Sequence, residues 1–250
     1  MIYLKLLVLF LFTVIFSQDF SGDIAITGQL PQGEFKEEGV PKGIGVDING
    51  MYYPIKALAF GLNFGGSSYG FSEREIPFSY YSSAVTITEK TSNEMSYGHL
   101  FFQIIPFQGN IKPYVEGLFG LKNLSTRTEL VSNNCDEEEY DNCQIAESEN
   151  ASDAALSYGV GLGLEISIAS LEKIGYEYKD DEDNLIESLS FFIKGRYLWG
   201  GKTKYLKQGT VEYSDPSVGP VETTFNWSES YTDLLQISVG LSLRFSLSED

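Results

Sequence analysis

The feature that most constrains the fold of this chain is a repeated alternation of apolar and polar residues at every second position. In the last such segment, residues 235–245, Leu, Ile, Val, Leu, Leu and Phe alternate with Gln, Ser, Gly, Ser and Arg. A helix would scatter these apolar side chains around its axis, whereas a strand places them on one face. The segment is therefore predicted to be an amphipathic β-strand.

Earlier segments alternate in the same way, so the chain is predicted to contain about eight amphipathic strands. The earlier segments are residues 23–30, 44–52, 57–64, 99–104, 115–122, 156–166 and 189–199. About eight strands is the size of the smallest membrane barrels, and a closed sheet leaves no free edge on which chains could aggregate. The predicted fold is an all-β, antiparallel, up-and-down transmembrane β-barrel.

The connections between these segments alternate in length. Residues 54–56 and 107–112 form short turns, whereas roughly 70–96, 125–154 and 201–232 form long loops. Short periplasmic turns and long outer loops are typical of outer-membrane barrels. The connection 169–187 departs from this pattern, because it belongs to the short-turn side and is long.

The composition of the polar face decides which face points outward. A soluble barrel of the lipocalin type has its apolar face inside, so alternation alone leaves both orientations open. Here the polar face is mainly Gly, Ser and Ala, as at Gly159, Gly161 and Gly163, which suits a crowded narrow lumen. We therefore expect the aliphatic face to meet lipid. Aromatic residues near strand ends are predicted to form two interfacial girdles: Tyr52, Tyr53, Tyr69, Phe71, Tyr97, Phe107, Tyr114, Trp199 and Phe245.

The first residues and the net charge indicate an exported protein that does not bind nucleic acid. Lys5 precedes an apolar run over residues 6–16, and the small Ser17 follows, which predicts a cleaved signal peptide at 1–17 and one barrel domain at 18–250. The chain carries 35 acidic and 17 basic residues, for a net charge of −18. Phosphate binding requires a basic surface, so nucleic acid is excluded as an expected partner.

Local patterns resemble the small bacterial outer-membrane β-barrel proteins of the opacity, OmpX and OmpW-like group. The segments that carry the resemblance are 30–35 (LPQGEF), 43–47 (GIGVD) and the terminal strand that ends at Phe245. The resemblance implies an integral protein of the bacterial outer membrane, with the barrel-insertion machinery and outer-membrane lipid as partners. The chain departs from the group because residues 246–250 follow the terminal aromatic residue.

Charged residues on the polar face are predicted to form a network in the lumen. The acids are Asp23, Asp47, Glu116 and Glu165, and the bases are Lys122, Lys194, Arg196 and Arg244. Burying a charge is costly unless it is paired, so we expect Lys194 and Arg196 to neighbour Glu165, and Arg244 to face the first strand. A network that plugs the barrel is favoured over a charged constriction in a conducting pore, because an eight-stranded barrel is only just wide enough for its side chains.

His99 is the single histidine and the natural residue with which to test for an enzyme. Barrel enzymes that act on lipid pair a His with Ser or Asp, but the chain has no G-x-S-x-G motif, so His99 is interpreted as a polar lumen residue. We expect no enzymatic activity and no cofactor, and one His with two Cys excludes a His/Cys metal site.

The two cysteines bracket an acidic stretch in the loop 125–154. Export to an oxidising compartment predicts a disulfide between Cys135 and Cys143. Asp136, Glu138 and Asp141 within it are a weak candidate for Ca²⁺ or Mg²⁺, but the spacing is not that of an EF-hand, and a solvated acidic loop is the commoner outcome.

Two functions fit these observations. The first is a non-enzymatic outer-membrane barrel with acidic surface loops and a structural or surface-interaction role. The second is a porin-like, OmpW-like conduit for small or apolar solutes.

Overall fold

A computed structural model describes residues 19–79, 82–132, 143–170, 186–213 and 223–246. Within these ranges the chain forms strands joined by turns and one short helix. The elements are β1 (Asp19–Pro31), α1 (Gly33–Glu37), β2 (Gly43–Ile55), β3 (Leu58–Ser79), β4 (Ser82–Ile104), β5 (Ile111–Ser132), β6 (Gln144–Ser170), β7 (Ile186–Gly200), β8 (Lys202–Tyr213), β9 (Thr223–Tyr231) and β10 (Leu234–Ser246). Among the described residues, no helix is long and apolar enough to cross a membrane.

The strands close into a barrel in the order β1-β10-β7-β6-β5-β4-β3-β2. Every neighbouring pair is antiparallel. The first and last strands close the ring, in a register that runs from Asp19 opposite Ser246 to Pro31 opposite Leu234. The predicted eight-stranded, up-and-down barrel is therefore confirmed.

The wall of the barrel is much taller on one side than on the other. β1, β2 and β10 have 13 residues each and β7 has 15. β3 and β5 have 22, β4 has 23 and β6 has 27. A membrane crossing takes about 9–11 residues per strand, so β3–β6 continue well beyond the bilayer.

The tall side corrects the prediction that 70–96 and 125–154 are long loops. Most of both ranges is strand, and β3 pairs with β4 as far as Ser79 opposite Ser82. These extensions were missed because they are rich in Ser, Thr and Glu, so the regular apolar alternation on which the prediction relied is interrupted there.

A cover lies over the mouth of the barrel at the end where β3–β6 extend. It consists of α1 and the hairpin β8–β9, and we call these elements the mouth cover. The hairpin corrects the prediction of a plain loop at 201–232. α1 begins at Gly33, with φ at 52°, and is followed by Gly39, with φ at 77°, a backbone conformation that favours glycine. This turn inserts Phe35, which is fully buried against Tyr205 with ring centroids 5.3 Å apart.

The mouth cover is bonded to the barrel wall, and its own parts are bonded to one another. The β8 backbone N–H of Lys204 donates to Asp153 Oδ2 on β6 at 2.8 Å. Within the cover, the N–H of Tyr231 at the end of β9 donates to Glu34 Oε2 of α1 at 3.2 Å. Lys207 of β8 also forms an ion pair with Glu38, just after α1.

The two faces of the barrel wall are chemically opposite. Asp47 is 0% exposed, whereas its neighbours Val46 and Ile48 are 54% and 53% exposed. The exposed apolar side chains form a belt around the outside: Ile24, Ile26, Ile44, Val46, Ile48, Phe60, Leu62, Phe64, Leu100, Phe102, Val115, Phe119, Leu121, Val160, Leu162, Ile193, Ile237, Val239 and Leu241. An apolar outside around a polar inside is the arrangement of a barrel that spans a lipid bilayer.

The predicted aromatic girdles divide between the two faces. Phe71, Phe107 and Trp199 are exposed, and Tyr52 and Phe245 lie on the same outward face as their alternating neighbours. Four tyrosines are buried inside the barrel and cannot belong to a girdle: Tyr53, Tyr69, Tyr97 and Tyr114. Tyr52 and Tyr53 are consecutive in a strand, so their side chains must point to opposite faces.

Several predictions fall outside the described residues. They are the signal peptide at 1–17, the middle of the connection 169–187, and Cys135 with Asp136, Glu138 and Asp141.

Candidate functional site

The candidate site is a group of four buried charges at the centre of the lumen, Asp47, Glu116, Lys194 and Arg196, which we call the central ion cluster. Arg196 donates from Nε to Glu116 Oε1 at 2.6 Å and from Nη2 to Glu116 Oε2 at 3.1 Å. Its Nη1 donates to Asp47 Oδ2 at 3.2 Å, and Lys194 Nζ lies 2.9 Å from the same oxygen. Two acids and two bases thus balance in a space closed to solvent.

The positions of the strands explain how these residues meet. On the ladder, Gly161 of β6 lies opposite Glu116 of β5 on one side and Arg196 of β7 on the other. A Cβ on Gly161 would stand 2.6 Å from Glu116 Oε1 and 3.0 Å from Arg196 Cγ. The bidentate pair therefore closes over Gly161, and any side chain there would obstruct it.

Asp47 lies further around the wall, on β2, and is fixed by neutral groups as well as by cations. Asn63 Nδ2 donates to Asp47 Oδ1 at 2.5 Å and to Asn49 Oδ1 at 2.8 Å. Tyr97 donates to Asp47 Oδ1 at 3.2 Å and accepts a hydrogen bond from Gln236 Nε2 at 2.7 Å. Several donors on one carboxylate are what a buried anion requires.

A second buried ion pair joins the adjacent strands β5 and β6 near the short-turn end of the lumen. Lys112 Nζ donates to Glu165 Oε1 at 2.9 Å, and both side chains are buried. Glu165 therefore pairs with Lys112 instead of Lys194 and Arg196, whose long side chains reach Asp47 and Glu116. Lys112 was missed because the sequence assigned it to the turn 107–112, whereas β5 begins at Ile111.

The other predicted lumen charges are buried or partly buried on the inner wall. Arg244 lies opposite Ser21 on β1, as expected, and its guanidinium stacks over the Tyr53 ring at 4.2 Å. Lys122 donates to the carbonyl of Thr232. Asp23 Oδ2 lies 3.5 Å from Asn49 Nδ2, while Asp23 Oδ1 is buried without a partner among the described residues.

His99 lies inside the barrel between a serine and an asparagine. Its Nε2 is 2.9 Å from Ser157 Oγ, and its Nδ1 is 3.1 Å from Asn63 Oδ1. Since Asn63 Nδ2 donates to Asp47, Asn63 Oδ1 is an acceptor, so His99 Nδ1 carries the proton and Nε2 accepts from Ser157. This is the hydrogen-bond order of a Ser–His pair with an orienting amide. Ser157 is 0% exposed, so this pair lies closed to solvent.

The lumen also holds amide and hydroxyl atoms that are buried without a partner among the described residues. They are both amide atoms of Gln29, Ser67 Oγ, Tyr69 OH, Gln103 Oε1 and Gln236 Oε1. Three of these residues, Gln29, Ser67 and Tyr69, lie on β1 and β3 near the mouth.

The mouth is closed by apolar packing. Phe35 and Tyr205 of the cover pack with side chains around them in one buried cluster, which includes Val40, Tyr69, Met95, Leu124, Leu198 and Leu234. Burial raises the pKa of Tyr205 above its ordinary value, and its hydroxyl is 2.9 Å from Ser230 Oγ.

The predicted metal ligands and one of the two cysteines lie outside the described residues. No group of three His, Cys, Asp or Glu side chains within them is placed to hold a metal ion. Cys143 is buried, but Cys135 lies outside the described ranges, so the disulfide stays a prediction.

Together, the closed sheet, the apolar belt and the polar lumen define a membrane-spanning β-barrel protein. No protein-family model matches the chain, and no curated protein matches it by sequence.

Comparison with solved structures finds barrel proteins of low sequence identity. Neisserial surface protein A is 11% identical with a TM-score of 0.34, over 92% of this chain and 96% of its own. The attachment invasion locus protein of Yersinia pestis is 13% identical with a TM-score of 0.35, over 92% and 99%. The outer membrane protease OmpT of Escherichia coli is 9% identical with a TM-score of 0.32, over 93% and 98%. These values carry no conclusion about function, and the fold assignment rests on the closed sheet itself.

Proposed function

We propose that this protein is a non-enzymatic outer-membrane barrel whose lumen is closed and whose work is done at the cell surface, in a structural or interaction role. The observation that carries the proposal is the central ion cluster. Arg196 reaches Glu116 on one side and Asp47 on the other, and its side chain is 1% exposed. A guanidinium held by two carboxylates across a narrow lumen leaves no continuous path for ions.

The surface role is supported by the shape of the wall. β3–β6 extend well beyond the length that a membrane crossing needs, and they project at the covered end of the barrel. Their outward residues include the exposed Glu147 and Glu149 of β6. A plain membrane anchor has no need of such an extension, whereas a protein that meets partners outside the membrane does.

The covered mouth supports a closed barrel independently of the charges. Phe35 and Tyr205 lie over the lumen, and both are almost completely buried. A solute would have to displace this mouth cover and then the central ion cluster, so the conduit is the less favoured candidate.

The proposal that there is no enzymatic activity is supported by the position of His99. Its serine partner faces the lumen and is closed to solvent, whereas a nucleophile must reach a substrate carbonyl. A fluorophosphonate probe should therefore leave Ser157 unlabelled in the folded protein. Labelling that is lost in a Ser157→Ala variant would overturn this part of the proposal.

The closed lumen is tested by conductance in planar bilayers. Refolded wild-type protein should give no steady single-channel openings, because the Arg196 bridges are intact. The Arg196→Ala variant, combined with deletion of residues 202–231, removes the bridge and the hairpin and should give openings. Steady openings of the wild type would favour the conduit.

A matched control for these recordings is Arg127→Ala. Arg127 also pairs with a glutamate, at 3.1 Å from Glu147, but both side chains are more than two-fifths exposed outside the lumen. This variant should be as silent as the wild type. If it conducts, the openings report damaged folding instead of a gate in the lumen.

A further inference from the structure

A groove of about 570 Å³ crosses the outer face of the wall where the apolar belt ends and the extensions of β3–β6 begin. One end of the groove is apolar and belongs to the belt, since Ile44 and Val46 of β2 are 68% and 54% exposed. The other end lies on β4–β6 and carries the charged side chains of Glu94, Arg127 and Glu149. The groove therefore leads from the lipid-covered surface of the barrel to the surface above the bilayer.

Small residues on the outward face form the floor of the groove between its two ends. They are Gly66 and Ser68 of β3, Ser96 of β4 and Ser125 of β5. The sheet brings them together, because Gly66 lies opposite Ser96 on the ladder. A Cβ on Gly66 would meet its nearest neighbour at 3.7 Å, an ordinary contact, so the groove is open above this glycine.

Side chains of both charges meet at the upper end of the groove. Arg127 lies directly opposite Glu149, and Glu94 lies opposite Ser125, two residues before Arg127 on the same face. Directly opposite side chains on a sheet have Cβ atoms about 5 Å apart, and diagonal neighbours are roughly 7–8 Å apart. Among the described residues that line the groove, Arg127 is the one cation, and it stands between the two carboxylates.

The donor groups at this end suit a phosphate beside an ammonium group. Arg127 Nη1 lies 3.1 Å from Glu147 Oε1, and both side chains are more than two-fifths exposed. A guanidinium has five N–H donors in a planar fork, so one ion pair leaves it capacity to bind a phosphate. An ammonium group has three donors and no acceptor, which matches the carboxylates of Glu94 and Glu149.

The balance of charge favours a headgroup that carries both signs. A purely anionic headgroup would meet two carboxylates for one guanidinium, and a purely cationic one would meet Arg127, so each brings like charges together. In phosphoethanolamine, a phosphate and a primary ammonium group are joined by a two-carbon bridge, so each charge can meet its opposite. The acyl chains of such a lipid would lie along Ile44 and Val46, within the apolar belt.

We propose that this groove binds one lipid with a phosphoethanolamine headgroup, whose phosphate accepts from Arg127 and whose ammonium group donates to Glu94 and Glu149. The groove is continuous with the apolar belt that the fold already places in lipid. The serine hydroxyl groups of its floor provide donors for the ester oxygens of the lipid. This binding is independent of the closed lumen, so a conducting barrel would not disprove it.

The test is lipid binding by the full, refolded protein in amine-oxide micelles, followed by native mass spectrometry. Three lipids with the same acyl chains are titrated: phosphatidylethanolamine, phosphatidylcholine and phosphatidylglycerol. EDTA is present, so that no divalent cation joins a carboxylate to the anionic lipid. Phosphatidylcholine has no N–H donor and phosphatidylglycerol has no ammonium group, so each should bind about five-fold more weakly than phosphatidylethanolamine. Equal binding of all three, or a preference for either of the other two, would overturn the proposal.

Two variants locate the lipid in the groove. Arg127→Gln removes the donors to the phosphate and should weaken the binding of phosphatidylethanolamine about five-fold. Gly66→Leu fills the floor of the groove and should abolish the preference for this lipid. Heat-modifiable gel mobility shows which variants are folded. If the folded variants bind phosphatidylethanolamine like the wild type, the lipid lies elsewhere and the proposal fails.

The matched control is Glu147→Gln, which breaks the same ion pair from its other side. Glu147 lies beyond the residues that line the groove, and its loss leaves Arg127 in place without a competing carboxylate. Phosphatidylethanolamine should therefore bind to this variant at least as tightly as to the wild type. Equal weakening in Glu147→Gln and Arg127→Gln would show that the ion pair itself is required, which contradicts a contact between Arg127 and the phosphate.

A double variant tests the carboxylates. Glu94→Gln combined with Glu149→Gln removes both partners of the ammonium group and keeps Arg127. The preference should then move from phosphatidylethanolamine to phosphatidylglycerol, because only a cation remains at the upper end of the groove. An unchanged preference for phosphatidylethanolamine would contradict the assigned role of the two glutamates.

Discussion

The same barrel is closed twice, by charges in the lumen and by apolar side chains at the mouth. The central ion cluster joins Asp47 and Glu116 to Lys194 and Arg196 through contacts of 2.6–3.2 Å. The mouth is closed by Phe35 and Tyr205, whose rings meet edge-on. The closure of the lumen depends on specific ion pairs, whereas the closure of the mouth depends on the shape and area of packed apolar side chains.

The difference follows from what surrounds each region. At the level of the lumen, lipid covers the outside of the wall. Moving an apolar side chain from lipid to the interior therefore contributes little free energy, and polar contacts link the strands inside instead. The mouth stands in water, where removing apolar surface from solvent is favourable. Loss of a partner should therefore harm the lumen more than a loss of packing harms the mouth.

The largest effect is expected for Arg196→Met. The change leaves Glu116 without its bidentate partner and reduces the charge around Asp47, and breaking a buried pair costs about 3–5 kcal/mol. The free energy of unfolding from lipid vesicles in urea, followed by heat-modifiable gel mobility, measures it. Arg127→Met, in an exposed pair, should cost less than about 1 kcal/mol. Equal losses in the two variants would contradict the comparison.

Removing both partners should restore part of that stability. In the double variant Glu116→Leu with Arg196→Met, no unpaired carboxylate remains in the central ion cluster, and Lys194 still pairs with Asp47 at 2.9 Å. Replacing a buried ion pair by apolar residues is often close to neutral. We expect the double variant to be at least about 1 kcal/mol more stable than Arg196→Met alone. A double variant less stable than the single one would show that packing, not charge, limits the lumen.

A smaller global effect is expected for Phe35→Ala at the mouth. Phe35 is fully buried, and truncating a buried Phe costs about 3–5 kcal/mol where it is part of a continuous core. Here the loss should fall on the mouth cover alone, so hydrogen exchange should rise at residues 202–206 while unfolding of the barrel changes little. Phe107→Ala, at an exposed position, is the control. Collapse of the whole barrel would place Phe35 in the main folding unit.

The smallest effect tests the shape of the lumen. Gly161→Ala places a Cβ 2.6 Å from Glu116 Oε1, and overpacking of this kind costs about 1–3 kcal/mol. Gly195→Ala on the next strand meets nothing within 4 Å and should be neutral. The free energy of unfolding in urea, measured for both variants under identical conditions, tests this prediction. A larger loss of stability in Gly195→Ala than in Gly161→Ala would contradict it.

Much of the fold could be predicted because one face of each membrane-level strand is apolar. The alternation at residues 235–245 placed Arg244 inside and Phe245 outside, and the structure has both there. The extensions of β3–β6 could not be predicted in this way, since both of their faces can be polar where no lipid is present. The hairpin β8–β9 was missed because its short strands lie in a stretch that reads as a polar loop.

Within the candidate site, the sequence indicated the residues and not their partners. It placed Asp47, Glu116, Lys194 and Arg196 in the lumen, but expected Glu165 beside the two bases. The order of strands along the sheet predicts contacts between neighbouring strands only. The contacts of Asp47 on β2 with Lys194 and Arg196 on β7 cross the barrel, where the curvature of the wall brings these two strands close. His99 was interpreted as a lumen residue, but its hydrogen bond to Ser157 joins β4 to β6, which are separated by β5, so neighbouring-strand pairing does not predict it.

By itself, the sequence determined the strands and the division of each into an apolar and a polar face, because a period of two residues is a property of the strand and needs no tertiary information. Only the tertiary structure decided which charges meet, how far the wall rises above the bilayer and what covers the mouth. Those features depend on distances between residues far apart in the chain, and the alternation of apolar and polar residues does not predict such distances.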